Sequence, residues 1–191
     1  MSFDPYIDPA TGVLKNKLGC DTHEALRQAE RDITRAALIR LAVRPVVGAY
    51  DLDHLCAFHR AVFGDIYEWA GEVRTVTIAK GDVFCLPQFI PSEGERIFGS
   101  LAKEEFLVGL RRRDFVDRLT YYFGEINALH PFRERNGRTQ RAFLGQLTRE
   151  AGFAVRWARM DAARNVAASI AIMRGDPAPM RRMMDELVEP V

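Results

Sequence analysis

The stretch HPFRERNGRTQR, His130 to Arg141, decides how this chain is read. Ahead of it lies a helical pattern from Asp114 to about Leu129, with Phe115, Leu119, Tyr122, Phe123, Ile126 and Leu129 on one face. Behind it a second helix is predicted from Arg138 to Ala151, with Phe143, Leu144 and Leu147 inward and Gly152 in the C-terminal glycine position. Two buried helices therefore hold a polar loop between them. The N-terminus of the second helix offers unpaired N–H groups and a positive dipole end, which suits phosphate. Gly137 lets the backbone approach an anion, and Arg138 and Arg141, three residues apart, can clamp further phosphate oxygens. Glu134 supplies a hard oxygen for a Mg2+ shared with phosphates, Asn136 can orient either phosphate or backbone, and His130 titrates in the range of a general base. Base, metal ligand, anion cradle and cationic clamp within twelve residues make a phosphate-transfer constellation.

Outward from the loop, the chain is punctuated helix by helix. Residues 1–20 carry Pro5, Pro9, Gly12 and Gly19 and are expected to form an extended lead-in. Asp21 or Thr22 can cap a helix bearing Leu26, Ile33, Ala37 and Leu41 and ending before Pro45. A second helix is predicted from near Asp51 to near Gly71, through Leu52, Leu55, Phe58, His59, Val62, Phe63 and Ile66. The period then changes: Val73, Val76 and Ile78 lie in a β-prone run, Lys80-Gly81-Asp82 is turn chemistry, and Val83 to Leu86 can return, so residues 73–91 read as a lone β-hairpin. Helical pattern resumes from Pro91 to Leu110, and short helices near Asp161 to Met173 and Pro179 to Leu187 close the chain. The expectation is one mainly α domain spanning residues 1–191 with a small hairpin.

The twelve-residue run resembles the signature of the Fic family, HPFx[D/E]GNGRxxR, and matches eight of its nine defined positions. The runs YIDPATGVLKNKLG (Tyr6 to Gly19), DIYEWAGEVRTVTIAKG (Asp65 to Gly81) and YYFGEINALHPF (Tyr121 to Phe132) resemble the Fic domains of bacterial toxins and secreted effectors, so the likeness covers essentially the whole chain. The resemblance implies a protein adenylyltransferase that moves AMP from ATP to a hydroxyl of a target protein. It implies His130 as the base, Glu134 as the Mg2+ ligand, and Asn136, Gly137, Arg138 and Arg141 as the nucleotide site, with Pro131 and Phe132 setting the loop. It also implies that the hairpin is a flap that docks the target by main-chain pairing, through Thr75, Val76, Thr77, Ile78, Lys80 and Phe84. Phosphate or phosphocholine transfer is the rival within the fold. The Doc-type kinases carry lysine where this chain has Gly137. A degenerate domain that binds nucleotide or a partner without catalysis is the rival outside it.

The departure is Arg135, where the family pattern has glycine. A side chain there could intrude on the cradle, swing outward, or add a cation to the phosphates. Intrusion is the favoured expectation and predicts that Arg135→Gly raises transfer. Many Fic domains are restrained by a helix patterned [S/T]xxxE[G/N]. Only Ser100 has a Glu four residues on, at Glu104, and Glu105 follows it, so a separate small antitoxin is the expected source of any inhibition.

Composition narrows the remaining classes. Of 191 residues 48% are hydrophobic, which fits a globular core. The 27 basic and 26 acidic side chains leave a charge of +1, too small a field to expect nucleic acid or an anionic membrane as partner. No apolar run reaches the ~18 residues of a membrane span, and MSFDPYIDP carries acids and prolines where a leader would be apolar. The expected location is cytoplasmic, with delivery to another cell if the chain is an effector. Cys20, Cys56 and Cys85 form no framework and point to a reducing compartment. Packing and surface roles are expected for His54 and His59, and core roles for Tyr121, Tyr122 and Trp69.

Overall fold

The computed structural model describes residues 4–191, so the first three residues of the lead-in lie outside it. Thr22 caps α1 (His23–Val43), its hydroxyl accepting the Ala25 N–H at 3.2 Å. Asp51 caps α2 (Leu52–Phe63) in the same way, accepting from His54 at 2.7 Å. These side-chain oxygens satisfy donors that the first helical turn leaves unpaired. The chain continues through β1 (Ala79–Lys80), β2 (Asp82–Val83), α3 (Ile90–Lys103), α4 (Arg112–Leu129), α5 (Asn136–Glu150), β3 (Phe153–Val155), α6 (Ala162–Met173), α7 (Ala178–Leu187) and β4 (Val188–Pro190). The fold is mainly α.

Helix α4 is the central element. Phe115, Leu119, Tyr122, Phe123, Ile126 and Leu129 are buried along it, and α3, α5, α6 and α7 all pack against it. A second cluster joins Tyr6 and Val13 of the lead-in, Leu26 of α1, Phe63 at the end of α2, and Ile66, Tyr67 and Trp69 after it. This second cluster explains why α2 stops at Phe63 instead of continuing to Gly71. Residues 64–70 turn to cover the lead-in, and the Ile66 carbonyl accepts from Lys17 at 2.8 Å. Helix α3 likewise stops short of Leu110, because Glu105, Phe106 and Leu107 take positive φ values of 50°, 54° and 65°, which ends a right-handed helix and buries Leu107.

The β structure differs from expectation in two respects. The hairpin pairs only Ala79 with Val83 and Lys80 with Asp82 around Gly81, whose φ of +83° suits the turn. Beyond one further backbone bond, from the Phe84 N–H to the Ile78 carbonyl at 3.2 Å, its longer arms are held by a side chain. The buried Arg74 guanidinium donates to the Val76 carbonyl at 2.7 Å on one arm and to the Cys85 carbonyl on the other. The hairpin is also not alone. Phe153–Val155 pair antiparallel with Val188–Pro190, a clasp of three residues a side that is too short for periodicity to reveal and carries a proline at its edge.

Candidate active site

The loop of the motif begins and ends on left-handed residues. His130 caps the C-terminus of α4 at φ 45°, ψ 58°, and Arg135 precedes α5 at φ 66°, ψ 17°. Each such non-glycine residue costs on the order of 1 kcal/mol and persists only where surrounding contacts fix it. The fixing contacts are present. Asn136 accepts the Phe132 N–H at 2.9 Å and donates to the Phe132 carbonyl at 2.7 Å, so both ends of its amide brace the loop itself. Its side chain thereby serves backbone, and what it and Gly137 offer an anion is main-chain N–H. Phe132 is buried and stacks on His59 at 4.0 Å between ring centres.

His130 is held in one tautomer. Its Nδ1 lies 3.0 Å from the Asn127 carbonyl, an acceptor, so Nδ1 carries the proton and Nε2 is the free base. Phe84 stacks on the imidazole at 3.7 Å with 13° between the planes. Burial, with Lys80 and Arg74 nearby, lowers the His130 pKa to about 4 against the push of the Asn127 hydrogen bond, so the ring is neutral at pH 7. Phe84, expected against the target, therefore lies on the catalytic candidate.

The cavity beside His130 has a volume of about 320 Å³. Glu134, Arg135, Gly137, Arg138 and Arg141 border one side, Lys80 of the flap another, and Asn165, Val166, Ser169, Ile170 and Met173 of α6 the opposite wall. Arg138 donates to Thr34 at 3.1 Å, and among the described residues neither it nor Arg141 has a carboxylate in ion-pair reach. Burial lowers both their pKa values, each further lowered by a neighbouring guanidinium. Two partly desolvated cations without acids form a site that an anion stabilises. A Cβ at position 137 would stand 3.3 Å from the Arg141 guanidinium, so glycine keeps that space clear.

Glu134 borders the cavity and touches Arg133 at 3.1 Å; Arg133 in turn pairs with Asp4 at 2.7 Å. Among the described residues no cluster of three His, Cys, Asp or Glu could hold a metal by itself. A single carboxylate facing an anion site fits Mg2+, which is commonly held by one or two carboxylates together with substrate phosphates.

Arg135 does not meet the expectation of intrusion. It borders the cavity, but its Nε and Nη2 form a two-pronged pair with both carboxylate oxygens of Glu30 on α1, a residue 1% exposed. Tyr67 donates to the same carboxylate at 2.6 Å. Desolvation pulls the Arg135 pKa down, and the hydrogen bonds and charge of Glu30 more than reverse it, for a net rise.

Of the flap residues, Thr75, Thr77 and Lys80 are exposed and Val76 and Ile78 half-buried. Thr75 donates its N–H to the Tyr6 hydroxyl at 3.2 Å, whereas the N–H groups of Val76 and Thr77 find no acceptor among the described residues.

Sequence reasoning missed three contributors. Arg74 donates to the His130 carbonyl at 2.8 Å as well as to both hairpin arms, linking base and flap. His59 accepts the Gly71 N–H at 2.9 Å through Nδ1, so its Nε2 is the donor to the Glu134 carbonyl at 3.2 Å; it is buried, with no surface role, and desolvation lowers its pKa to about 4. The sequence does not single out Glu30, the buried acid that receives Arg135. A faint signal existed, since His59 and Glu30 both fall on the apolar stripes of their helices. Glu104 of the Ser100 pattern is bound to Arg118 and Tyr122, away from Arg141. Tyr122 and Trp69 are core, while Tyr121 is 37% exposed.

This geometry has counterparts in known proteins. The family described as Fic/DOC matches residues 49–148. The "Probable protein adenylyltransferase Fic" of Salmonella typhimurium is 45% identical over 157 residues, 81% of this chain and 76% of that protein. Protein adenylyltransferase VbhT of Bartonella schoenbuchensis is 44% identical over 170 residues, 88% of this chain but 36% of VbhT, so the chain spans only about a third of that relative. The structure of the N-terminal Fic domain of a VirB-translocated Bep effector protein from Bartonella quintana, with bound ADP, agrees with a TM-score of 0.90 at 26% identity, covering 97% of this chain and 94% of that one. A match across half of the sequence, with the motif loop, His130 and the arginine pair assembled at one cavity, makes this chain a member of the Fic/DOC family.

Proposed function

We propose that this chain is a protein adenylyltransferase that transfers AMP from ATP to a side-chain hydroxyl of a target protein, as a toxin or effector. The observation that carries this is the shared cavity: a neutral His130 with a free Nε2 beside Arg138 and Arg141, two cations without acids. The cationic loop suits the phosphates and the α6 wall, with Val166 and Ile170, suits a base. His130 Nε2 takes the hydroxyl proton as the hydroxyl oxygen bonds to the α-phosphorus. The bond from that phosphorus to the bridging oxygen breaks, and pyrophosphate leaves with the electron pair. The N–H groups at the start of α5 with Arg138 and Arg141 bind the phosphates and stabilise the departing charge. When bound, Mg2+ on Glu134 would neutralise phosphate charge and orient the polyphosphate.

The open N–H groups of Val76 and Thr77 support docking of an extended target segment along the flap. An exposed apolar face beside the arginines supports a separate small antitoxin as partner. Leu38, Ile39 and Val43 are exposed on α1, and Arg138 and Arg141 border the same groove as Leu38 and Ile39, which suits an amphipathic helix bearing an acid. The test is incubation of the chain and of its His130→Ala variant with a bacterial lysate and labelled ATP. The expected result is α-label on protein for the parent and none for the variant. Protein carrying γ-label instead would replace this reading with phosphate transfer, and absence of both labels with ATP still bound would favour a non-catalytic module.

A further inference from the structure

Arg135 stands at a left-handed corner where a glycine would be free of strain, yet its guanidinium leaves the cavity edge and closes on Glu30. Glu30 sits in a polar niche under the loop: it is 1% exposed, and its partners are Arg135 and the Tyr67 hydroxyl. Thr34, one turn further along α1, receives Arg138. A buried carboxylate without a cation is costly, so Glu30 and Arg135 depend on each other. A forked guanidinium–carboxylate contact fixes direction as well as distance. It therefore determines where the Arg135 Cα, and with it the first turn of α5, stands relative to α1.

We propose that Glu30 is a positioning residue for nucleotide binding, acting through Arg135: the pair anchors the corner from which α5 presents its N–H groups and keeps the Arg135 guanidinium off the phosphates. This rests on the nucleotide site proposed above. An arginine is accommodated at a glycine position because a buried acid on a neighbouring helix receives it. Without Glu30 the guanidinium is released beside Arg138 and Arg141, where it competes for the ground the phosphates need. Without Arg135 the buried Glu30 keeps only Tyr67.

The test is a double-mutant cycle with Glu30→Gln, Arg135→Gly and both together, on the full chain, following ATP affinity by calorimetry, KM and kcat for transfer, and thermal unfolding. Glu30→Gln is expected to weaken ATP binding and raise KM about tenfold, equal to ~1.4 kcal/mol, with kcat within about twofold. In the Arg135→Gly background the same change should alter KM less than about twofold, since no guanidinium remains to be released. Arg135→Gly alone should lower the unfolding temperature and not raise transfer, and Arg135→Lys, which keeps one contact, should fall between. A purely structural Glu30 would shift unfolding and leave KM alone, which overturns the proposal. So would Arg135→Gly raising transfer at unchanged stability, because the arginine would then be an obstruction. Should the parent bind ATP without transferring AMP, the adenylyltransferase reading fails and the ATP-affinity cycle still decides the anchor. Should the parent bind no ATP, both fail, and the unfolding data then report only a structural pair.

Discussion

His130 acquires from its surroundings the state that the proposed general base requires. The Asn127 carbonyl fixes the proton on Nδ1, Phe84 covers one ring face, and burial holds the imidazole neutral. A base with a pKa of about 4 remains available far below the 6.5 of a free histidine. The pH profile of kcat/KM for transfer, which reports the free enzyme, should therefore hold from pH 7 down to about 5 and fall with a midpoint near 4. A midpoint near 6.5 in that profile would mean that the ring is solvated in the free enzyme. His130→Ala should abolish transfer while ATP affinity stays within about threefold of the parent, because the imidazole acts on the transition state. Calorimetry beside a transfer assay separates the two effects. Phe84→Ala removes the stacking partner from the cavity wall while leaving the motif loop, Arg138 and Arg141 in place, so it should lower kcat and raise the acid midpoint toward 6.5 together.

The elements around the loop are coupled through side chains more than through ladders. The hairpin has two residues a side, and Arg74 supplies what the missing ladder does not, reaching Val76, Cys85 and His130 with one planar group. Replacing Arg74 by Met removes the donor from one buried and two partly buried carbonyls and is expected to cost on the order of 3 kcal/mol of stability. Lys should not rescue it, since one ammonium cannot span carbonyls spread along a fork. Thermal unfolding of Arg74→Met and Arg74→Lys checks both statements; a Lys variant of parental stability would show that charge alone suffices. The outer edge of the flap is a separate matter. Thr77→Pro removes a donor that nothing in the described chain uses, so stability and ATP affinity should be unchanged while modification of the target falls at least tenfold, as expected if that N–H pairs with the target. Parental modification by Thr77→Pro would move the docking strand elsewhere.

For the molecule as a whole, the buried neutral histidines make acid a threat to the fold. Both His59 and His130 have folded pKa values of about 4 against 6.5 when unfolded. A depressed value means that the unfolded chain binds the proton first. Their contribution to stability is therefore full above pH 6.5, declines as pH falls, and is lost by about pH 4. The loss reaches up to about 3 kcal/mol per histidine at 1.36 kcal/mol per pH unit. Urea midpoints between pH 7 and 4 should drop steeply, and in His130→Ala with roughly half that slope. Equal slopes would place the acid sensitivity in groups other than His130. Since His59 hydrogen-bonds the Glu134 carbonyl, its protonation should loosen the motif loop at the same pH that unfolds the chain.

What the sequence determined by itself is local in character. A cap at Asp21 or Thr22, helix starts near Asp51 and Asp161, and apolar stripes on α4 and α5 follow from a few neighbouring side chains, and the helices lie close to where those signals put them, with Thr22 as the cap of α1. The motif loop was legible because its groups are consecutive, so spacing alone brings a base and an anion cradle together. Tertiary structure decided everything that depends on distant partners. Thr34 and Glu30 meet Arg138 of α5 and Arg135 just ahead of it across more than a hundred residues, Arg74 meets His130 across 56, and Phe153 finds Pro190 near the far end of the chain. Whether Arg135 blocks the cradle or anchors it was such a question. Its answer lies in the direction of one guanidinium, and that direction is set by a buried carboxylate whose place only the packing of α1 fixes.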